Sequence, residues 1–408
     1  MPAVSSSLIS PALGQVGDLP AGDRALLAGH CPGLAGHLAG VPDPRGVRHT
    51  LTSLLLAAVA AVLAGARSFT AIGEWAADAP PPVPAALGVR YDPLAGCFRP
   101  PNEASSAGCW RRWTRPRWRL RWGCGWLPGC RPAGLPPSRA GPRQRRVVAV
   151  DGKAVRGTRH ASGDGQARHL LAADPQAGAM LAQAEVDGKT NEITAFAPLL
   201  ASLDLAGAVV NADALHAQRE HAQFLVTSKH AHYILTVKNN QPSLHAQLEN
   251  LPWRQVPAGF DARERGHGSA EWRTLKMTAV AAGIAFPHAA QAIQIRRRLK
   301  PLSGTKKWST ETSYAVTSLA AHQAARAQVA GWIRGHWAIE ALHHIRDVTF
   351  GEDASQVRTG NGPQVMATLR NLAIGILKPS GHPSIAAACR YHARDATRVL
   401  ADLGISPP

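Results

Sequence analysis

The chain has 408 residues, 45% of them hydrophobic, with 45 Lys and Arg against 27 Asp and Glu, a formal net charge of +18. That length provides for two or three domains, and the charge suits a polyanionic partner, either nucleic acid or an anionic membrane surface. The membrane reading fails because the apolar run 51–66 is about 16 residues long and alanine-rich where about 20 are needed to span, and no Lys or Arg precedes Arg24 to begin a signal peptide, so a cytoplasmic protein is expected.

In chain order, residues 1–42 mix Gly, Pro and Ser with short apolar runs and read as a loosely packed lead-in. Cys31, Cys97, Cys109, Cys124, Cys130 and Cys389 include no C-x-x-C pair, which argues against disulfides and a structural zinc. Residues 43–103 form a helical N-terminal domain. Thr50 to Leu63 reads as a buried helix and Phe69 to Ala77 as a second, with Ser68 as N-cap and Pro80 as terminator. Near Arg45, Arg48 and His49 this pair suits docking on DNA, and equally an ordinary helical hairpin with scattered surface charge.

From Ala104 to Val150 no Asp or Glu occurs, Arg is dense, and Trp110, Trp113, Trp118, Trp122 and Trp126 supply five of the 11 tryptophans. The linker 104–144 reads as a nucleic-acid arm, a basic disordered tether, a cation–π-packed segment, or the product of a local frame slip. The last fits the repeated Trp-Arg at 110–111 and 118–119, because Leu-Ala codons of a GC-rich gene read one nucleotide late begin Trp-Arg.

Residues 145–252 read as the first part of an α/β core. Val147 to Val150 is a buried strand ending in Asp151 and turning at Gly152. His169 to Ala173 and Met180 to Val186 continue as an antiparallel meander, and Thr190 to Leu203 is a helix across it. Ala208 to Ala212 is a strand ending in Asp213, with a helix opening near His216. His232 to Lys238 is a further strand and Pro242 to Leu251 a helix. The resulting mixed sheet flanked by helices brings the ends of the first and fourth strands side by side.

Residues 253–319 read as a β-rich insertion, with strands at 271–280, 292–299 and 313–318, and 320–408 as the C-terminal helical part of the core. Within it, 334–350 reads as one helix whose His336, Glu340, His343 and Asp347 share a face, flanked by Trp332, Ile339, Leu342 and Ile345. That face is either a rigid carboxylate site or a solvated polar stripe.

The blocks VVAVDGK (147–153), NADALHAQRE (211–220), HYILTVKNNQPSL (232–244), WSTETSYAVTSL (308–319) and RGHWAIEALHHIRDVTFGEDASQVRTG (334–360) resemble the DDE transposases of insertion sequences, more narrowly the H-repeat-associated group. DPRGVRH (43–49) and LAGARSFTAIGEWA (63–76) resemble that group's N-terminal associated domain. The resemblance implies an RNase H-like core with a β-rich insertion, and catalytic acids at Asp151, Asp213 and Glu340. These would hold two Mg2+ or Mn2+ ions, with Asp151 bridging both. It further implies cleavage at transposon ends and attack of the freed 3′-OH on target DNA by a nucleoid-associated protein, with a homodimer synapsing two ends. Lys153, Arg156, Lys238 and Arg334 are expected at phosphates or, equally, as exposed surface charges, Asn240 is expected at the DNA, and His216, His336, His343 and His344 are expected as packing histidines or to position DNA or the Glu340 helix.

The chain departs from the wider group at Ile333, His336 and Asp347, where Tyr, Arg and Lys are usual, and from the narrower group at Ala341 and His344. Three alternatives compete with an active transposase: a non-catalytic DNA-binding relic, a host nuclease of the same fold, and a metal site on His336, Glu340 and His343. The last uses Glu-x-x-His, whose other copy, 264–267, contains Gly266 and reads as a loop.

Overall fold

In a computed structural model, residues 34, 49–99, 145–156, 168–186, 192–266, 268–280, 284–302 and 307–405 are described. Arg45, Arg48, all but one residue of the lead-in, and the Trp/Arg-rich linker lie outside them. Helix α1 (Leu51–Leu63) starts where the Thr50 hydroxyl accepts the Ser53 N–H at 3.2 Å. Its Leu/Ala/Val sequence leaves only Thr52 unburied. α2 (Phe69–Asp78) is capped by Ser68, whose hydroxyl accepts the Ala71 N–H, and stops before Pro80. The short α3 (Pro82–Ala86) and a hairpin of β1 (Tyr91–Asp92) and β2 (Cys97–Phe98) follow.

A second unit, described from 145 to 358, is built on one nine-stranded sheet. β3 (Val147–Ala154), β4 (Arg168–Asp174) and β5 (Ala179–Val186) form the antiparallel meander. α4 (Glu192–Leu200) follows. β6 (Val209–Ala212) then pairs parallel to β3, and, after α5 (Arg219–Gln223), β7 (His232–Val237) pairs parallel to β6. α6 (Pro242–Glu249) leads to β8 (Ala258–Gly266), β9 (Ser269–Ala279), β10 (Gln291–Pro301) and β11 (Ser309–Thr317). The spatial order is β5-β4-β3-β6-β7-β11-β10-β9-β8. Helices α7 (Arg326–Gly335) and α8 (Trp337–Val348) complete the unit. Val147, Val209, Ile234, Ile293 and Ala315 from five strands share one core with Leu319, Val329 and Trp332.

Helices cover both faces because successive side chains of β3 point opposite ways. Lys153 reaches Asp347 of α8, whereas Gly152 lies under Glu192 of α4, whose carboxylate occupies the space a Cβ at that position would need. The remaining helices, α9 (Gly362–Leu377), α10 (Ile385–Ala393) and α11 (Arg398–Asp402), belong with α1 and α2.

Several expectations are corrected. Asp151 does not end its strand: β3 runs on to Ala154, because the antiparallel β4 continues to pair with it after the parallel β6 has stopped. The strands of 253–319 are four and extend the core sheet itself, through Tyr314 paired with Val237. The unexpected one, β8, has the charged sequence DARER and is a strand by virtue of its pairing with β9. It takes in Glu264 and Gly266, expected in a loop; His267 lies outside the described residues. The helix expected over 334–350 is two, meeting at His336. Residues 359–405 cluster with the N-terminal helices and not with the sheet, since α1, apolar on every side, needs α9, itself buried along most of its length, to cover it. Among the described residues no helix is long and apolar enough to cross a membrane.

Candidate active site

The parallel register of β3 and β6 pairs Val150 with Ala212, so the next residues, Asp151 and Asp213, emerge abreast from neighbouring strands, about 5 Å apart along the sheet. Asp213 caps the 3-10 turn Ala214–His216, where its carboxylate accepts the Leu215 N–H at 3.1 Å. Asn240 holds that turn from below, donating to the Ala214 carbonyl at 2.5 Å. Glu340 lies in the first turn of α8, which packs on β3. The three carboxylates line one cavity of about 480 Å3 with Lys238, Arg334 and His336.

Charge in the cavity is unbalanced where the acids meet. Burial pushes the Asp151 carboxyl up to about 7, and the charges of Asp213, Glu340 and Glu192 push the same way against a hydrogen bond from the Gly152 N–H. Burial also lowers His336, against the pull of Asp213 and Glu340. His343 stands with Nδ1 3.6 Å from the Asp151 carboxylate, beyond hydrogen-bond reach, and is lowered to about 3 by burial and by Arg346 and Lys153. It is therefore neutral at neutral pH.

Among the described residues no three His, Cys, Asp or Glu side chains form a ready-made metal group, and that holds for His336, Glu340 and His343 as well. The donor chemistry of Asp151, Asp213 and Glu340 nevertheless fits a hard divalent cation: oxygen ligands, converging on one cavity, whose mutual repulsion a cation would relieve.

Other expected site residues are placed differently. Lys153 is only 7% exposed and gives its ammonium to both Asp347 oxygens, at 2.7 and 2.8 Å, with Glu352 at 3.9 Å. It ties α8 to β3 and does not present itself to a phosphate. His216, 1% exposed, packs on Phe196 with ring centroids 4.9 Å apart, so it supports the Asp213 turn from inside. Arg156 is exposed beside Asp353, outside the cavity lining. Arg334 lines the cavity but is held bidentate by Glu264, at 2.5 and 2.7 Å.

The far wall of the cavity is not anticipated by the sequence. Arg273 and Arg297 both bind Glu271 and stack on Trp337, at 5.2 and 4.5 Å from the ring. Phe260, Ile295 and Glu311 complete that side. The arginine run between Ile295 and Leu299 in QIRRRLK (294–300) is the one local signal for it, and its meaning depends on β8 to β11 joining the core sheet. At the cavity floor, Asn211 donates to the Trp332 carbonyl at 2.9 Å and fastens β6 to α7.

The paired strand acids and the helix-borne Glu340 are placed as the resemblance to DDE transposases implies, and the family comparison gives the class. Residues 142–376 match the family described as Transposase DDE domain, and 35–99 the family described as DDE_Tnp_1-associated; the chain belongs to the first of these families. It is 29% identical over 260 residues to "Putative transposase YncI" of Escherichia coli O157:H7, covering 57% of this chain and 62% of that protein. It is 24% identical over 380 residues to "H repeat-associated putative transposase YhhI" of Escherichia coli K12, covering 84% of this chain and 89% of that protein. Among solved structures, the piggyBac transposase synaptic complex with hairpin DNA aligns over 92% of this chain and 73% of its own at 12% identity; its TM-score of 0.37 is too low to carry an argument.

Proposed function

We propose that the chain is a DNA transposase with an RNase H-like core, in which Asp151, Asp213 and Glu340 would hold two divalent cations, Mg2+ or Mn2+. When bound, such ions activate a water or 3′-OH nucleophile and stabilise the leaving oxygen of a phosphodiester. The observation that carries the reading is the emergence of Asp151 and Asp213 side by side from parallel strands, on the same cavity as Glu340. Around them, this chain's own residues set the conditions. Asn240 and Asn211 fix the strand ends, Lys153 clamps the Glu340 helix through Asp347, and neutral His343 fills the space beside Asp151 without competing for it as a cation. Lys238 and His336 on the cavity wall are suited to a phosphate entering it.

The substrates in this reading are transposon ends and target DNA, the working species is a homodimer on DNA, and the protein acts at the nucleoid. The test is nicking of supercoiled plasmid with and without Mg2+, for wild type and for Asp151→Ala, Asp213→Ala and Glu340→Ala. Metal-dependent cleavage lost in all three variants supports the reading. DNA binding with no cleavage by the wild type would identify a non-catalytic relic, and cleavage that ignores transposon-end sequences a host nuclease.

A further inference from the structure

The distal half of the sheet sorts its charges by face. Arg273 and Arg297 line the cavity, so the alternation of strand side chains turns Arg296 and Arg298 to the opposite face. On the cavity side Glu264, Glu271 and Glu311 stand with the arginines, and Arg334, Arg273 and Arg297 are spent on Glu264 and Glu271. On the other side the register sets Arg263, Trp272 and Arg298 in one row, with Arg296 and Lys300 beside it on β10. Asp261, the acid on this side of β8, accepts the Trp272 indole N–H at 2.9 Å. Among the described residues Arg263, Arg296, Arg298 and Lys300 make no ion pair.

The arginines of this face are nonetheless held. Arg263 lies 4.4 Å over the Trp272 ring, and Arg298 sits 4.9 Å from Trp272 and 5.4 Å from Trp308, itself 39% exposed. A guanidinium stacked on an indole has lost side-chain freedom before any ligand arrives, yet keeps its N–H edge free for oxyanions. Because Trp272 already carries two guanidiniums, stacking of unpaired bases on it is disfavoured and binding of a phosphate backbone is favoured.

We propose that this outer face of β8–β10 binds the phosphate backbone of a DNA duplex, a segment distinct from the one that enters the acid cavity. The inference rests on the chain being a DNA-acting enzyme, and makes it a protein with two DNA-binding faces on one sheet.

The test is fluorescence anisotropy of the full chain with a duplex of about 30 base pairs in EDTA, between about 50 and 200 mM salt. Replacing Arg263, Arg296 and Arg298 together by Gln is expected to weaken binding at least about tenfold and to reduce the slope of log K against log salt by about two to three, at about 0.9 for each phosphate left without its cation. The Lys triple variant is expected to keep most of the slope. Arg296→Gln with Lys300→Gln leaves the indole stacks intact, guards against a folding defect, and is expected to lower the slope by about one to two. Mg2+-dependent plasmid nicking at saturating DNA is expected to survive in each. Wild-type affinity and slope in both Gln variants would overturn the second face while leaving the catalytic proposal standing. So would unchanged DNA binding with loss of binding to phosphatidylserine vesicles. A wild-type protein that binds no duplex would sink both.

Discussion

Replacing Asp151 by Asn tests the electrostatics of the site without needing a substrate. In the folded chain Asp151 keeps its proton to a pH of about 7, against an ordinary value of 3.8. Between those values the native state binds a proton that the unfolded chain has released, so stability falls as pH rises from about 4 to 7, and the full penalty is present above 7. At about 1.4 kcal/mol per pH unit the ceiling is roughly 4 kcal/mol. The side chain is 21% exposed and opens on a wet cavity, which brings the expected effect to roughly 1–3 kcal/mol. Asp151→Asn has the same shape and no charge. In denaturant titrations with EDTA it should match the wild type near pH 4 and be the more stable protein at pH 8. Adding Mg2+ at pH 8 should then raise the wild type and leave the variant where it was. A stability difference that does not change between pH 4 and pH 8, or a variant less stable at pH 8, would refute the reasoning.

Three further outcomes are expected. Lys153→Ala leaves half-buried Asp347 without its cation, while buried Glu352 keeps Arg346 at 2.8 Å, and should cost about 1–3 kcal/mol in chemical unfolding; the double replacement Lys153→Met, Asp347→Leu should recover most of that loss. Gly152→Ala drives a Cβ into the Glu192 carboxylate, the mobile end of its side chain, and should cost about 1–2 kcal/mol, with the cost shrinking in a Glu192→Ala background if that clash is the cause. Asn211→Ala strips the buried Trp332 carbonyl of its donor and should cost about 1–3 kcal/mol, read as a lower Tm, and should also weaken metal-dependent nicking if α7 must stay fastened to β6.

What can be read from the sequence is the part fixed by short-range pattern. The cap at Ser68, the helix beginning at Thr50–Leu51, the apolar runs of β3, β6 and β7 and the meander of β4 and β5 appear near the expected residues, because each is decided by neighbours along the chain. The acids Asp151 and Asp213 are found by their position after such runs. Illegible are the features decided by distant partners. β8 has a loop's composition and becomes a strand against β9. Asp151 sits inside its strand because β4 outlasts β6, and Lys153 prefers a carboxylate 194 residues away to a solvent-borne phosphate. The split at His336 is a single residue between two helices, which a spacing pattern passes over.

The unbroken hydrogen bonding from β5 to β8 has a mechanical consequence. A module joined to a core by two thin strands can swing as a lid, but the four distal strands share a continuous beam with the strands that carry the acids. The wall bearing Arg273 and Arg297 therefore holds its place relative to Asp151 and Asp213. Amides along the β7–β11 seam should exchange with deuterium far more slowly than those at the junction around His336.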